Sequence, residues 1–422
     1  MMIRVPHEEN PLLEHSEIFA ARQCPFLCRL NKKKMMYYAF TMRFSLPSNA
    51  RAINRLRILN IIATKDGLSR AQIARILGLN KVSTGEIVEG LIGDGLVVET
   101  GKVTTANGRR PVALSLVKDA RSLLAIDIAP KATSFALADL SGTLLRFERS
   151  PNTLLAGESP EDALSRLIKG CRRLLDFIKN RQHPVGLAVS LAGSVDDEGC
   201  TVSIPSLGWT DVPLAALLKQ HLDIDVVLVP RVTAMVAGEK WFSSVFSAPS
   251  VYYVNWDDGI DSAWVLDGVT ASRGMSVSSL FTSTGTLAET ASGMALSQRA
   301  LSILGGDDLS LRVLLQKLPD IPALDGLMEH ACVAMGEALA TISCVSGCDT
   351  LVLGGALSGL PDSYFDIIQE KYAASSPQER TCVEIVRSPL ADKAALMGAV
   401  ASVLDLFMFR RSLLDQLDRQ EK

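Results

Sequence analysis

The stretch from Ser69 to Leu91, SRAQIARILGLNKVSTGEIVEGL, constrains this chain more tightly than any other. Ser69-Arg70-Ala71-Gln72 has the S-x-x-Q form of a capping box, so a helix starts there. Ile73 and Leu77 mark its apolar side, and Gly78 permits a tight turn. Asn80 can then cap a second helix, whose expected buried face is Val82, Ile87, Val88 and Leu91. Upstream, Leu56, Leu59, Ile62 and Ala63 fall on one face of an earlier helix that ends at Gly67. Downstream, Gly93 and Gly95 stop the third helix. LVVET and VALSL then read as short strands around a loop, Gly101 to Pro111, rich in Gly, Thr, Asn and Arg. Helix, helix, turn, helix and a two-stranded wing form the winged helix-turn-helix pattern, expected over residues 48–118.

Charge separates this module from the rest. Residues 1–118 hold 18 Lys and Arg against 9 Asp and Glu, a local charge of +9, whereas the remainder carries −12. A basic module on an acidic body points to a polyanion partner for the first part only. On charge alone, a merely solvated basic surface is the competing reading. Residues 1–47 show no sustained period and contain Lys32-Lys33-Lys34, Pro6, Pro11 and Pro47, so a poorly ordered extension is expected there. The start lies at Met1 or at Met42, where more regular sequence begins.

The 422-residue chain is long enough for more than one domain, and no apolar run in it approaches the ~18–20 residues that cross a bilayer. No cleavage site follows an apolar core, so the chain reads as cytoplasmic with no membrane partner. Eight cysteines are scattered along it, which argues against a disulfide framework. Cys344-x3-Cys348 could be half of a metal site, but buried thiols on a helix are the simpler reading. His330 and Cys332 do not complete such a site, because residues two apart on a helix face different sides.

After Ala120 the texture changes. SLLAIDIA, SFALADL and TLLRFER read as strands, with turns at Pro130-Lys131 and Ser141-Gly142, and a helix follows over about 160–181. VGLAVSL and DVVLVP are further strands around the helix LAALLKQHL, and another helix spans about 232–242. The second half repeats this logic. SVYYVNW and SAWVLDG are strands, helices cover 287–304 and 324–346, and TLVLGGALSG and VEIVRS follow before a last helix over 393–417. A meander followed by alternating helices and strands, done twice, predicts two α/β lobes. Their expected bounds are 119–245, joined by the helix 393–417, and 246–392.

Several stretches now carry a family resemblance. The helical stretch from Arg51 to Gly101, the wing segment GRRPVALSL, ALADLSGTLL, LGW, AGEKWF, AETASG and TLVLGGALSG occur in that order. Over about residues 50–405 the chain resembles the ROK family, which groups repressors, open reading frames and sugar kinases. More narrowly, it resembles the transcriptional-regulator branch, with its winged helix ahead of the lobes. The resemblance implies two actin/hexokinase-like (ribonuclease H-like) α/β lobes. It also exposes departures. Family kinases have Asp-Ile-Gly-Gly-Thr at the phosphate turn, where this chain has Asp127-Ile128-Ala129-Pro130-Lys131-Ala132-Thr133. Proline lacks an N–H donor, so a phosphate cradle is hard to form there. The second phosphate turn reads Asp258-Gly259-Ile260-Asp261, with Asp in place of the usual final Gly. Arg231 stands where the family's base aspartate belongs, and guanidinium stays protonated at working pH. The family's zinc ligands are missing, because SSLFTSTGTLAETASG contains neither Cys nor His.

The resulting expectation is a DNA-binding regulator, a repressor of carbohydrate-related genes, with no catalytic residues, no metal and no cofactor. The alternative is a ROK-family sugar kinase. The third helix should enter the major groove with Lys81, Ser83 and Thr84 on its exposed side, while Glu86 either accepts from a cytosine or pairs with a neighbouring cation. Arg109 and Arg110 suit phosphate or minor-groove contacts. Expected partners are double-stranded DNA with an inverted-repeat operator, a second copy of the chain, and a sugar or anionic sugar derivative. Arg231 and Glu289 are the candidate effector contacts. Arg231 reads equally well as a drifted surface residue, and Glu289 as a carboxylate favoured by a helix N-terminus.

Overall fold

A computed structural model describes residues 47–102, 112–130, 132–151, 157–178, 184–196, 199–204, 207–271, 276–306, 309–377 and 383–409. The expected extension 1–47 therefore lies outside the described residues, apart from its last position. The first helices are α1 (Pro47–Thr64), α2 (Arg70–Leu77) and α3 (Lys81–Gly93), followed by the antiparallel strands β1 (Val97–Lys102) and β2 (Val112–Leu116). Local chemistry explains their bounds. Ser69 and Gln72 form the reciprocal capping box at the start of α2, and Gly78 ends that helix in the left-handed region at φ 65°. The Asn80 side chain then accepts from the Val82 N–H at 2.8 Å to start α3. Leu68 pairs with Leu114, which ties the entry to α2 onto the wing.

The first lobe holds β3 (Ser122–Ala129), β4 (Ala132–Asp139), β5 (Leu144–Pro151), α4 (Pro160–Phe177), β6 (Leu187–Leu191), β7 (Ser194–Val195), β8 (Val202–Ile204), β9 (Trp209–Val212), α5 (Leu214–Leu222), β10 (Val226–Pro230) and α6 (Arg231–Phe242). Its main sheet has the order β10-β6-β3-β4-β5, with β3, β6 and β10 parallel; β7, β8 and β9 form a small separate sheet. The second lobe holds β11 (Ser250–Trp256), β12 (Ile260–Leu266), β13 (Val269–Ala271), β14 (Phe281–Thr282), β15 (Gly285–Thr286), α7 (Leu287–Ala291), α8 (Gly293–Leu304), α9 (Leu311–Lys317), α10 (Asp325–Ser346), β16 (Thr350–Gly354), α11 (Asp362–Ser375) and β17 (Glu384–Arg387). Its sheet order, β13-β12-β11-β16-β17, repeats the first lobe's plan of a meander flanked by two parallel strands. The chain then returns as α12 (Ala394–Val403), followed by a π-helical turn over Leu404–Phe409.

Three expectations change here. The helix over 287–304 is two helices, because Ser292 adopts extended backbone (φ −63°, ψ 144°) and its side chain caps α8 by accepting from the Ala295 N–H at 3.2 Å. The helix from 160 ends at Phe177. Val82 is not on the buried face of α3: it is 70% exposed, more than one turn before the buried Ile87, Val88 and Leu91. The last part of the predicted helix to 417 lies outside the described residues.

Two packing features position everything else. First, α6 and α12 cross with backbone against backbone. A Cβ on Gly238 would come within 2.7 Å of the Ala394 carbonyl, and one on Gly398 within 1.6 Å of the Ala234 carbonyl. Helix α6 meets the second lobe through Met235 and Val236 beside Val251 and Tyr253, whereas α12 also covers the first sheet, so the crossing is the seam between lobes. Second, the winged module shares its core with the first lobe. Ile58, Leu59, Ile62, Ile73, Val88 and Leu91 are continuous with Leu123, Ala136 and Leu140 of that lobe and with Val400 and Val403 of α12. No helix among the described residues is long and apolar enough to cross a membrane.

Candidate functional site

The N-terminal turn of α3 presents Lys81, Val82 and Ser83 to solvent, with Glu86 one turn further on. Thr84 does not join them. It is fully buried, and its Oγ1 donates to the Asn80 carbonyl at 2.9 Å, so its hydroxyl is spent inside the helix start. The expectation that Thr84 sits on the exposed side fails because the residue follows the helical period of Val88 and Leu91, four and seven positions on. The acidic side chains around this surface are matched by cations. Arg51 lies 3.7 Å from Glu86, and Arg70 bridges Glu89 and Glu99 at 2.6 Å each. Arg109 and Arg110 fall outside the described residues.

The second constellation lies between the lobes. Asp127 occupies β3 of the first sheet, Arg231 opens α6, and Asp257 directly follows β11 of the second sheet. The Arg231 guanidinium grips Asp127 with two N–H groups, Nε to Oδ1 at 3.1 Å and Nη2 to Oδ2 at 3.4 Å. Its Nη1 reaches across to Asp257 Oδ2 at 3.3 Å. The Ser190 hydroxyl also donates to Asp127 Oδ1, at 3.0 Å. The Arg231 side chain is only 10% exposed and that of Asp127 only 6%. Burial would lower the Arg231 pKa, but the charges of Asp127 and Asp257 and their hydrogen bonds outweigh it, leaving the pKa raised. Arg231 is thus neither a drifted surface residue nor a guanidinium open to an anionic effector. Two carboxylates of the chain itself already occupy it.

The turn after Asp257 is equally committed. The Gly293 and Met294 N–H groups, at the start of α8, donate to the Asp257 and Asp258 carbonyls at 2.9 and 3.0 Å. A Cβ on Gly293 would meet the Asp257 carbonyl at 2.8 Å, so this turn packs against α8. Glu289 is exposed and acts as the α7 capping residue, accepting from the Thr286 Oγ1 at 2.7 Å and the Thr286 N–H at 3.2 Å. Those hydrogen bonds, from the Thr286 side chain and then its backbone, hold the Glu289 carboxyl below its usual range. Its carboxylate serves the helix start rather than a lobe cleft.

Sequence reasoning missed Glu239, which is fully buried at the seam. Its Oε1 accepts from Ser388 Oγ and from the Leu390 N–H, the latter at 3.1 Å, so α6 is tied to the segment after β17. Asp127 was visible only as part of a degraded phosphate turn, and Asp257 stands just ahead of the second such turn without belonging to it. Nothing in the linear sequence signals that Arg231, 104 positions from one and 26 from the other, joins them.

Comparison with known proteins fits this geometry. Residues 123–278 match the ROK family. The chain is 30% identical over 224 residues to a xylose repressor of Caldicellulosiruptor bescii, covering 51% of this chain and 54% of the relative. It is 26% identical over 209 residues to the xylose repressor of Bacillus subtilis, covering 49% and 54%. The chain thus spans about half the length of the curated relatives it matches. Among solved structures, a ROK family transcriptional regulator, a homologue of the E. coli MLC protein, superposes with a TM-score of 0.71 at 17% identity, covering 87% of this chain and 99% of that one. A ROK family glucokinase from Streptomyces griseus superposes with a TM-score of 0.57 at 18% identity, covering 66% and 97%. The glucokinase match is confined to about two thirds of the chain, whereas the regulator match extends to most of it. Over residues 123–278, then, the chain is similar to the ROK family.

Proposed function

We propose that this protein is a DNA-binding repressor of carbohydrate-related genes, in which the kinase-like lobes have exchanged catalysis for sensing and dimerisation. One observation carries the reading more than any other: Arg231, at the position of the kinase base, is buried in a bridge between Asp127 and Asp257. A permanently cationic group held by two carboxylates cannot take a proton from a sugar hydroxyl. Phosphoryl transfer also needs a phosphate cradle, and Ala129 and Pro130 replace its glycines. Ahead of these lobes stands a winged helix whose third helix offers Lys81 and Ser83 to solvent. The relatives named xylose repressor make a neutral pentose the first effector to test. A winged helix reads few base pairs, so useful specificity calls for two chains on an inverted repeat.

Three measurements test this reading. Selection from random DNA with the full chain should recover an inverted repeat, and binding should respond to a sugar of the xylose class. Incubation with ATP and xylose, glucose, mannose or N-acetylglucosamine should yield no sugar phosphate above blank. Turnover that disappears in Arg231→Ala, or failure to recover any preferred DNA, would overturn the proposal.

A further inference from the structure

The side chain most out of place on the α3 surface is Val82, 70% exposed between Lys81 and Ser83. Taking α3 as the DNA-reading helix of the proposed function, we infer that Val82 reads the C5 methyl group of a thymine in each operator half-site. Recognition helices bring their N-terminal residues to base edges in the major groove. Val82 occupies the second position of α3, and its own N–H is already held by the Asn80 side chain at 2.8 Å. Its isopropyl group is left to meet a base. The major-groove edge of DNA has one apolar feature, the thymine methyl, and small apolar side chains recognise it by contact. A β-branched residue in a helix is held near one χ1 rotamer, so little freedom is lost when it docks.

The neighbours favour this assignment. Thr84 is buried and Gly85 has no side chain, so Val82 is flanked by only two exposed side chains in this turn, Lys81 and Ser83. Glu86 and Glu89, which would repel DNA, face Arg51 and Arg70. Ile76 is also exposed, at 48%, but it lies on α2, the helix that crosses the backbone in this motif. The inference therefore predicts a half-site in which one A·T pair is specified through its methyl group, beside positions read by Lys81 and Ser83.

The test uses the full chain and the operator recovered by selection. Each thymine is replaced in turn by deoxyuridine, which removes the methyl and preserves pairing. For the unaltered protein, one position in each half-site should weaken binding about three- to tenfold, the scale of one buried methyl group. Val82→Ala, at an exposed position that the fold does not need, withdraws most of the apolar contact; it should weaken binding to the thymine operator and shrink the deoxyuridine effect. Insensitivity of the unaltered protein to every deoxyuridine, with operator binding intact, would overturn this inference and leave the DNA-binding reading standing. The same deoxyuridine penalty in Val82→Ala would also overturn it. Failure to recover any operator would overturn both.

Discussion

At the scale of single residues, the interlobe bridge is a commitment that can be measured. Arg231, Asp127 and Asp257 were taken out of water together, and each is tolerable only because the others are present. Arg231→Met should therefore destabilise the protein by about 3–5 kcal/mol, since it strands a buried carboxylate. Adding Asp127→Asn to that variant should recover part of the loss, because the stranded charge is then removed. Chemical denaturation of the parent, Arg231→Met, Asp127→Asn and the double variant provides the readout. An Arg231→Met protein as stable as the parent would show that the bridge contributes nothing. The arginine itself was legible in the sequence as a foreign residue in a base position. Its partners were not, because ion pairing across the seam depends on how two sheets face each other, and no local spacing records that. Thr84 illustrates a different limit. A hydroxyl at the start of a helix has the same composition whether it faces a base or bonds back to the turn before it.

At the scale of elements, the α6–α12 crossing joins the lobes by the closest approach a backbone permits. Gly238 and Gly398 let the two helices meet without side chains between them. Gly398→Ala should force the helices apart, since its methyl group would sit 1.6 Å from the Ala234 carbonyl, which cannot swing aside as a flexible side chain could. A loss of about 1–3 kcal/mol or more is expected, read as a lowered denaturation midpoint. Gly326→Ala, with nothing within 4 Å of the added methyl, is the control and should change little. Helix existence was well signalled here by apolar period and caps, as with Ser69-Gln72 and Asn80. Boundaries were less so. Ser292 breaks one apparent helix into two because its side chain can cap the second of them, and the apolar period alone runs straight through such a break. Helices α9 and α11 were not assigned from the sequence, although Ser310 caps α9 by accepting from the Val313 N–H at 3.4 Å and Pro361 directly precedes α11.

At the scale of the whole molecule, the winged module and the first lobe share one core. The sequence marks a change of texture near Ala120, and a boundary at 118 is a fair reading of it. Apolar patterning shows which side of a helix is buried but not against which neighbour, so the continuity through Leu123, Leu140 and Val403 could not be read in advance. This continuity makes the lobes part of the reader's support. An isolated fragment of residues 48–118 would expose part of that core to water, and it should be less stable than the same residues within the chain. It should also bind the operator more weakly and with less preference over random DNA, having lost the surface that would pair two chains. Fluorescence anisotropy with the recovered operator and a scrambled duplex compares the two proteins directly. A salt titration adds a second axis. On the DNA-binding reading, replacing both Arg109 and Arg110 by alanine should weaken binding to all sequences and flatten the salt dependence by roughly one phosphate contact each. Ser83→Ala should instead weaken the operator complex much more than the random one, while leaving the salt slope in place. A fragment that binds as tightly and selectively as the full chain would separate reader from lobes and sink the dimer. An unchanged salt slope in the double-arginine variant would remove the wing from the contact surface and leave α3 as the element that meets the DNA.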